Sequence, residues 1–369
     1  MPERVIAHPS TVSAREEKIL AIIETARGKR AKFRDERITM AHGAGGKATQ
    51  SLIEGLLVPA FGGQTLNELS DAGEVVVDGL ALALTTDSYV VRPLRFPGGS
   101  IGDLAVNGTV NDLAVSGARA LALSLSLVLE EGLTADQLRA EVDTIAVAAR
   151  AAGVEVVAGD TKVVERGHAD GMYICTTGLG RRDARADLAP SNIRPGDRIL
   201  LSGSIGEHGM AIMLARGEFD LDASIESDTA CLWPAVDALL DAAGRGLRCL
   251  RDATRGGVAS VLNELARASS VAMLVREGAI PVQAAVAGAA EILGIDPMYV
   301  ANEGKLVAFV APDAVDGALE ALRAVPGCEQ AAEIGEVRTE PPGMVLVETS
   351  FGGRRVMDQL VGDPLPRIC

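Results

Sequence analysis

Apolar and polar positions alternate most clearly between Glu74 and Val91, where two runs rich in Val, Leu and Ala flank Asp78-Gly79. An Asp-Gly pair between such runs suits a type I′ turn and predicts a β-hairpin. Residues 101–117 and 134–152 carry helical patterns, the second opened by Thr134 as N-cap and closed by Gly153. Strands follow at 154–158 and 172–180. The polar stretch 181–194 and the turn Pro195-Gly196-Asp197 mark a domain boundary. A second unit opens with a strand at 198–202, a glycine turn and a helix from His208, then repeats strand, turn and helix over 249–268. Short strands at 271–275, 306–310 and 344–348 alternate with helical stretches. The pattern defines a mixed α/β chain with an N-terminal unit over 38–182 and a C-terminal unit over 183–350. Residues 1–37, with a basic run from Arg27 to Arg37 and a short helix over 13–26, form a solvated extension. Residues 351–369, with Gly352, Gly353, Pro364 and Pro366, form a mobile tail.

Composition narrows the function classes. The 369 residues suit two domains, and 48% apolar against 23% charged residues excludes global disorder. Aromatics are only 3%, so stacking platforms for single-stranded nucleic acid are hard to assemble. The net charge of −15 disfavours a general nucleic-acid or anionic-membrane surface. Any anionic substrate must then be met by local cations, helix N-termini or bound metal. The five cysteines (Cys175, Cys231, Cys249, Cys328, Cys369) are scattered, with no Cys-x-x-Cys pair. Neither a disulfide framework nor a zinc site is indicated, and a reducing cytoplasm fits. No secretory signal pattern or membrane-length apolar run stands out.

Four features carry candidate chemistry. In His42-Gly43-Ala44-Gly45-Gly46-Lys47 the glycines let backbone N–H groups approach phosphates and Lys47 supplies a point charge. The spacing is neither a Walker A loop nor a Rossmann fingerprint, and a simple flexible turn is the plain alternative. Asp87, Asp112, Asp160 and Asp252 are acidic residues read at turns or helix starts. Carboxylates about 5 Å apart repel by roughly 3 kcal/mol per pair at an effective dielectric near 20, so a converging set needs a cation such as magnesium carrying a nucleotide. Taken singly, Asp favours turns and caps on its own account. Glu303, just before a strand, suits a general base if burial raises its pKa, and Lys162 lies two residues after Asp160. A solvated turn glutamate is the alternative. The last residue, Cys369, sits on a proline-stiffened arm with the reach of a swinging thiol carrier, or is an accident of the terminus.

Together these segments resemble the HypE family of hydrogenase maturation proteins, carbamoyl dehydratases of the AIR synthetase-like (PurM-like) ATP-binding superfamily. The resemblance runs from about residue 39 to the end. It is carried by HGAGG at 42–46, TTDSYVV at 85–91, FPGG at 96–99, GTVNDLAVSGA at 108–118, EEGL at 130–133, GDTKVV at 159–164, RDATRGGV at 251–258, ANEGKL at 301–306 and PRIC at 366–369. It implies a two-domain PurM-like fold with a C-terminal α/β sandwich, in a cytoplasmic homodimer whose N-terminal domains pair into a barrel-like interface. ATP would bind between the domains of each chain. Cys369 would be carbamoylated by a HypF-like carbamoyltransferase and dehydrated to a thiocyanate, and the cyano group passed to iron on a HypC–HypD complex. Asp87, Asp112, Asp160 and Asp252 would hold Mg2+. Gly43, Gly45, Gly46 and Lys47 would close over the triphosphate, with Asn111 and Thr161 completing the nucleotide site. Lys162 would stabilise developing charge and Glu303 would take an amide proton. Ser100, Asp103 and Asn107 depart from the family pattern, which often has Asp, a basic residue and Cys there. The rivals are another PurM-like enzyme that phosphorylates a free small molecule, selenophosphate synthetase-like or thiamine phosphate kinase-like, and a non-catalytic maturation scaffold.

Overall fold

The alternation at 74–91 becomes the hairpin β1 (Gly73–Val77) and β2 (Leu80–Tyr89), with Val77 opposite Leu80. Asp78 (φ 52°) and Gly79 (φ 82°) both lie in the left-handed region that a type I′ turn requires. The chain is seen in a computed structural model that describes residues 32–62, 70–217 and 224–360. The expected helix over 13–26 and Cys369 fall outside those residues.

The hairpin starts an open five-stranded sheet of order β1-β2-β7-β5-β6, completed by β5 (Ala118–Glu130), β6 (Glu155–Val164) and β7 (Met172–Arg182). The short helices α1 (Lys47–Leu52) and α2 (Val58–Phe61) precede it, and a two-stranded ribbon, β3 (Arg95–Phe96) and β4 (Gly99–Ser100), follows β2. One face of the sheet packs on α3 (Ile101–Val115) and α4 (Ala135–Ala152) through Tyr89, Leu104, Leu123, Ile145, Met172 and Ile174. Helix α4 has the expected ends: Thr134 Oγ1 accepts from Gln137 N at 3.2 Å, and Gly153 adopts φ 69°. It crosses over between the parallel pair β5 and β6.

Strand β5 had no counterpart among the predicted elements, although Leu and Ser alternate from Leu123 to Leu127. Strand β6 outruns its expected end at 158 and continues to Val164, because Gly159 lets the chain pass close to the Leu125 carbonyl, which an added Cβ would meet at 2.6 Å. Asp160, Thr161 and Lys162 therefore lie within an edge strand, not at a turn. Asp112 also moves: Ser100 caps α3, so Asp112 sits in its last turn, not near its start.

The second unit is a seven-stranded sheet of order β14-β13-β10-β12-β8-β11-β9. Its members are β8 (Arg198–Leu201), β9 (Leu247–Asp252), β10 (Ala272–Arg276), β11 (Leu306–Val310), β12 (Ala332–Arg338), β13 (Val345–Glu348) and β14 (Arg354–Met357). Every residue of β11 is buried, as expected of a strand covered on both faces. Helix α7 (Gly257–Ala268) covers one face through Val258, Leu262 and Leu265. The other face carries α6 (Trp233–Ala243) and α9 (Val315–Arg323), through Val236, Leu239, Leu240, Ala318 and Leu322. Helices α5 (Glu207–Ala215) and α8 (Ala284–Leu293) pack beside them around Met210, Met213 and Val286. The mobile tail expected from residue 351 needs a correction, since Arg354–Met357 pairs antiparallel with β13 and Met357 is buried.

Helix α3 joins the two units. Ala114 and Val115 at its C-terminal end enter the core of the second sheet. Near its middle, a Cβ on Gly108 would collide with the buried Tyr89 hydroxyl. Gly108→Ala is therefore expected to destabilise the chain by about 1–3 kcal/mol, read as a lowered midpoint in thermal denaturation.

Candidate functional site

Three carboxylates from three elements converge at the seam between the units. Asp71 precedes β1, Asp112 closes α3 and Asp252 ends β9, and one oxygen from each lies within 4.8 Å of the others. Among the described residues this is the one such group of potential metal ligands. Arg251 pairs with Asp71 at 2.6 Å, and Thr85 Oγ1 donates to Asp112 at 2.8 Å and to the Asp71 carbonyl at 2.9 Å. These partners compensate only part of the charge. Burial, then the charges of Asp252, Asp71 and Asp87, push Asp112 well above the usual carboxylate range. Burial, then Asp71, push Asp252 from 3.8 to about 7, with Arg251 opposing. Asp71 is raised too, burial outweighing Arg251. A hard all-oxygen donor set under this repulsion suits a divalent cation of the Mg2+ or Ca2+ kind.

The structure brings Asp87, Asp112, Asp252 and Glu303 into one electrostatic neighbourhood. Asp87, near the end of β2, faces Arg255 at 3.7 Å, and its charge acts on Asp112, Asp252 and Glu303. Glu303 is 3% exposed, and burial followed by the charges of Asp87, Asp228 and Asp252 raises its pKa well above the usual range. A carboxylate so raised is a stronger proton acceptor than a solvated one.

The glycine loop adjoins this neighbourhood. Gly43 accepts from Arg255 Nη1 at 2.8 Å, and Gly45, at φ 77°, lies so close to Arg255 that a Cβ would meet it at 3.1 Å. Lys47 points elsewhere: its Nζ pairs with Asp358 at 2.9 Å and its backbone N–H donates to the Leu360 carbonyl at 3.3 Å. A cavity of about 580 Å³ opens beside Gly45 and Gly46, reaching Arg251, Glu264 and Arg267.

Two groups of predicted residues take other positions in this chain. Asp160 and Lys162 pair with each other on exposed strand β6. Asp160 stands opposite Ser126, which stands opposite Cys175, which stands opposite Ser88, so three strand spacings, about 14 Å, separate it from β2. Asn111 spends its side chain inside the protein: Nδ2 donates to the Ala230 and Glu303 carbonyls at 2.9 and 3.2 Å, and Oδ1 accepts from Leu232 N at 2.7 Å. Asp71 was absent from the sequence reading, because one Asp in a polar stretch between elements carries no periodic signal. The departures at the start of α3 have local explanations: Ser100 and Asp103 form a capping box, and Asn107 Nδ2 donates to Thr229 Oγ1 at 3.2 Å.

Comparisons with known proteins identify the family. Residues 69–182 match the N-terminal domain of AIR synthase related protein and residues 194–347 its C-terminal domain. The chain is thus a two-domain protein of the AIR synthase related class. It is 48% identical over 337 residues to carbamoyl dehydratase HypE of Bradyrhizobium diazoefficiens, covering 91% of this chain and 97% of that one. A HypE–HypF complex superposes with TM-score 0.80 at 42% identity, covering 84% of this chain and 99% of that one. HypE in complex with ATP superposes with TM-score 0.76 at 43% identity, covering 90% and 100%. The chain belongs to the HypE family of carbamoyl dehydratases.

The raised carboxyl pKa values fix the sign of a pH effect. A carboxyl whose folded pKa exceeds its unfolded value stabilises the fold below that unfolded value and loses the contribution as pH rises through the folded pKa. With Asp252 moving from 3.8 to about 7, metal-free protein is expected to lose thermal stability between those pH values. Mg2+ added at about pH 8 should restore it by neutralising the cluster, and Asp112→Asn should blunt both effects. A stability profile indifferent to pH and cation would contradict this.

Proposed function

We propose that the protein uses ATP to dehydrate an S-carbamoyl group on its own Cys369, leaving a thiocyanate that supplies the cyanide ligand for nickel–iron hydrogenase. The observation that carries this reading is the convergence of Asp71, Asp112 and Asp252 beside buried Glu303, with the chain emerging at Leu360 against the glycine loop. Nine residues follow Leu360, a length that spans at most about 30 Å when extended. The proposal requires the sulfur of Cys369 to meet the seam within that span.

Oxygen on carbon leaves poorly and phosphate leaves well, so the carbamoyl oxygen takes the γ-phosphoryl group of ATP and ADP departs. Loss of two protons from nitrogen and of phosphate from carbon then yields the C≡N bond on sulfur. Glu303 accepts one of those protons. Bound Mg2+ would neutralise phosphate charge, held by Asp71, Asp112 and Asp252 with Asp87 alongside. Gly43, Gly45 and Gly46 would line the phosphates with backbone N–H groups, and Lys47 would exchange Asp358 for them. The ATP-bound HypE relative supports nucleotide binding, and the HypE–HypF complex supports a HypF-like carbamoyl donor. A HypC–HypD iron complex would take the cyano group, in a cytoplasmic setting that keeps Cys369 a thiol.

A homodimer belongs to the same proposal. By strand register, Val75, Val77, Leu80, Leu84 and Leu179 lie exposed on the face of the five-stranded sheet away from its helices, an apolar surface suited to a second copy. Pairing there would carry Asp160 and Lys162 toward the neighbouring chain's seam. Among the described residues no helix is long and apolar enough to cross a membrane.

Intact-protein mass spectrometry tests the reaction. After a carbamoyl donor system and then ATP, the adduct on Cys369 is expected to become lighter by one water. Glu303→Gln should bind ATP within a few fold of the parent yet stop that loss, and continued turnover would sink the proposed base. For the dimer, Lys162→Ala and Glu303→Gln are each expected to be inactive alone. Mixed in equal amounts they should regain part of the activity, because one hybrid site combines Lys162 of one chain with Glu303 of the other. No recovery would place Lys162 outside the neighbour's site.

A further inference from the structure

The segment bearing Glu303 has no regular secondary structure, so something other than a helix or strand ladder must hold it. Backbone bonds to Ala230 and Ala253 hold it in part, and three side-chain contacts grip Glu303 and Gly304 from outside the segment. Asp228 Oδ1 accepts from Glu303 N–H at 3.1 Å, and Oδ2 of the same carboxylate accepts from Gly304 N–H at 3.2 Å. From the other unit, Asn111 Nδ2 donates to the Glu303 carbonyl at 3.2 Å. The Asp228 side chain is 4% exposed and pairs with Lys305 Nζ at 3.3 Å, itself 9% exposed, so its charge is compensated in place.

The fit between the two segments is close. A Cβ on Gly304 would overlap the Asp228 carbonyl, so glycine is the residue that allows the 228 loop to approach this far. Asp228 and Lys305 also line a cavity of about 380 Å³, together with Ser204, Glu207, Cys231 and Cys328. None of Asp71, Asp87, Asp112, Asp252 or Glu303 borders that cavity. Asp228 therefore borders a cavity that the carboxylate cluster and Glu303 do not line.

We infer that Asp228 is a positioning residue for the dehydration: its carboxylate grips the consecutive N–H groups of Glu303 and Gly304 and fixes the backbone from which the catalytic glutamate projects. The inference rests on the reading of Glu303 as the base. A charged acceptor taking two parallel N–H bonds is stronger and more directional than a neutral one. Asn111 holds the same peptide by its carbonyl, so the Glu303 backbone is pinned at both its donor and its acceptor. The Asp228 charge also contributes to the raised pKa of Glu303. Misplacing a catalytic group by about 1 Å costs roughly a hundredfold in rate, which sets the size of the effect expected.

The test is Asp228→Asn in the full-length protein, which keeps the shape and turns one acceptor oxygen into a donor that opposes an N–H. Dehydration of the carbamoylated protein is expected to slow about a hundredfold while ATP affinity stays within about threefold, and hydrogen exchange in the peptide carrying residues 303 and 304 accelerates at least tenfold. Equal losses in rate and ATP affinity would mark a merely structural role and overturn the assignment, as would unchanged turnover. If the variant does not fold, exchange in the parent protein decides: those two amides must be protected, and fast exchange refutes the grip. Glu303→Gln separates the two layers. Full activity in that variant removes the base and this inference together, whereas its inactivity with a normal Asp228→Asn removes the inference alone.

Discussion

The structure is organised around a repulsion. Asp71, Asp112 and Asp252 arrive from a loop, a helix end and a strand end, and they are held within 4.8 Å at the seam of the two units. At about 5 Å and an effective dielectric near 20, each ionised pair costs roughly 3 kcal/mol, which is large beside a folding stability of about 5–15 kcal/mol. Arg251 and Thr85 meet part of that cost. The rest is met either by protonation, which is why burial and neighbouring charge drive these carboxyls upward, or by a cation. A divalent cation, as proposed, would relieve that repulsion.

Helix α3 makes the convergence possible. Its capped start is fixed by Ser100 and Asp103, its middle packs Gly108 on Tyr89, and its last turn carries Asn111 and Asp112 across to the second unit. Adjacent residues of one helix thus hold the Glu303 peptide and supply a carboxylate to the cluster. On the far side two glycine turns stack: Gly45 approaches Arg255, and Gly256 and Gly257 open α7 in left-handed conformations. The same crowding brings Leu360, the last described residue, against Lys47.

Local signals in the sequence carried the local structure. Asp78-Gly79 specified its turn, Thr134 and Gly153 bounded their helix, and the strand at 306–310 read as a continuous apolar run. Elements whose stability comes from neighbours were harder to see. Strand β12 includes Gly335 at a close approach to Leu274, and β14 is a short, charged edge strand defined only by pairing with β13. In the site, Asp87 and Asp252 were legible because each follows a run that reads as a strand, where ligands gather in α/β units, and Glu303 as a carboxylate that burial could make a base. Asp71 and Asp228 were not, since each acts through a partner more than a hundred residues away in sequence, Arg251 for the first, or across a loop with no periodicity for the second. Asn111, expected at the nucleotide, has all its polar side-chain atoms engaged with the protein.

The measurement that bears most directly on the central repulsion is anomalous diffraction from crystals of the protein grown with Mn2+ in place of Mg2+ and a non-hydrolysable ATP analogue. Anomalous density is expected within about 2.2 Å of carboxylate oxygens from Asp71, Asp112 and Asp252, with the analogue's phosphates completing the shell. A nucleotide seated elsewhere, or a seam with no anomalous density and its carboxylates unmoved, would contradict the account.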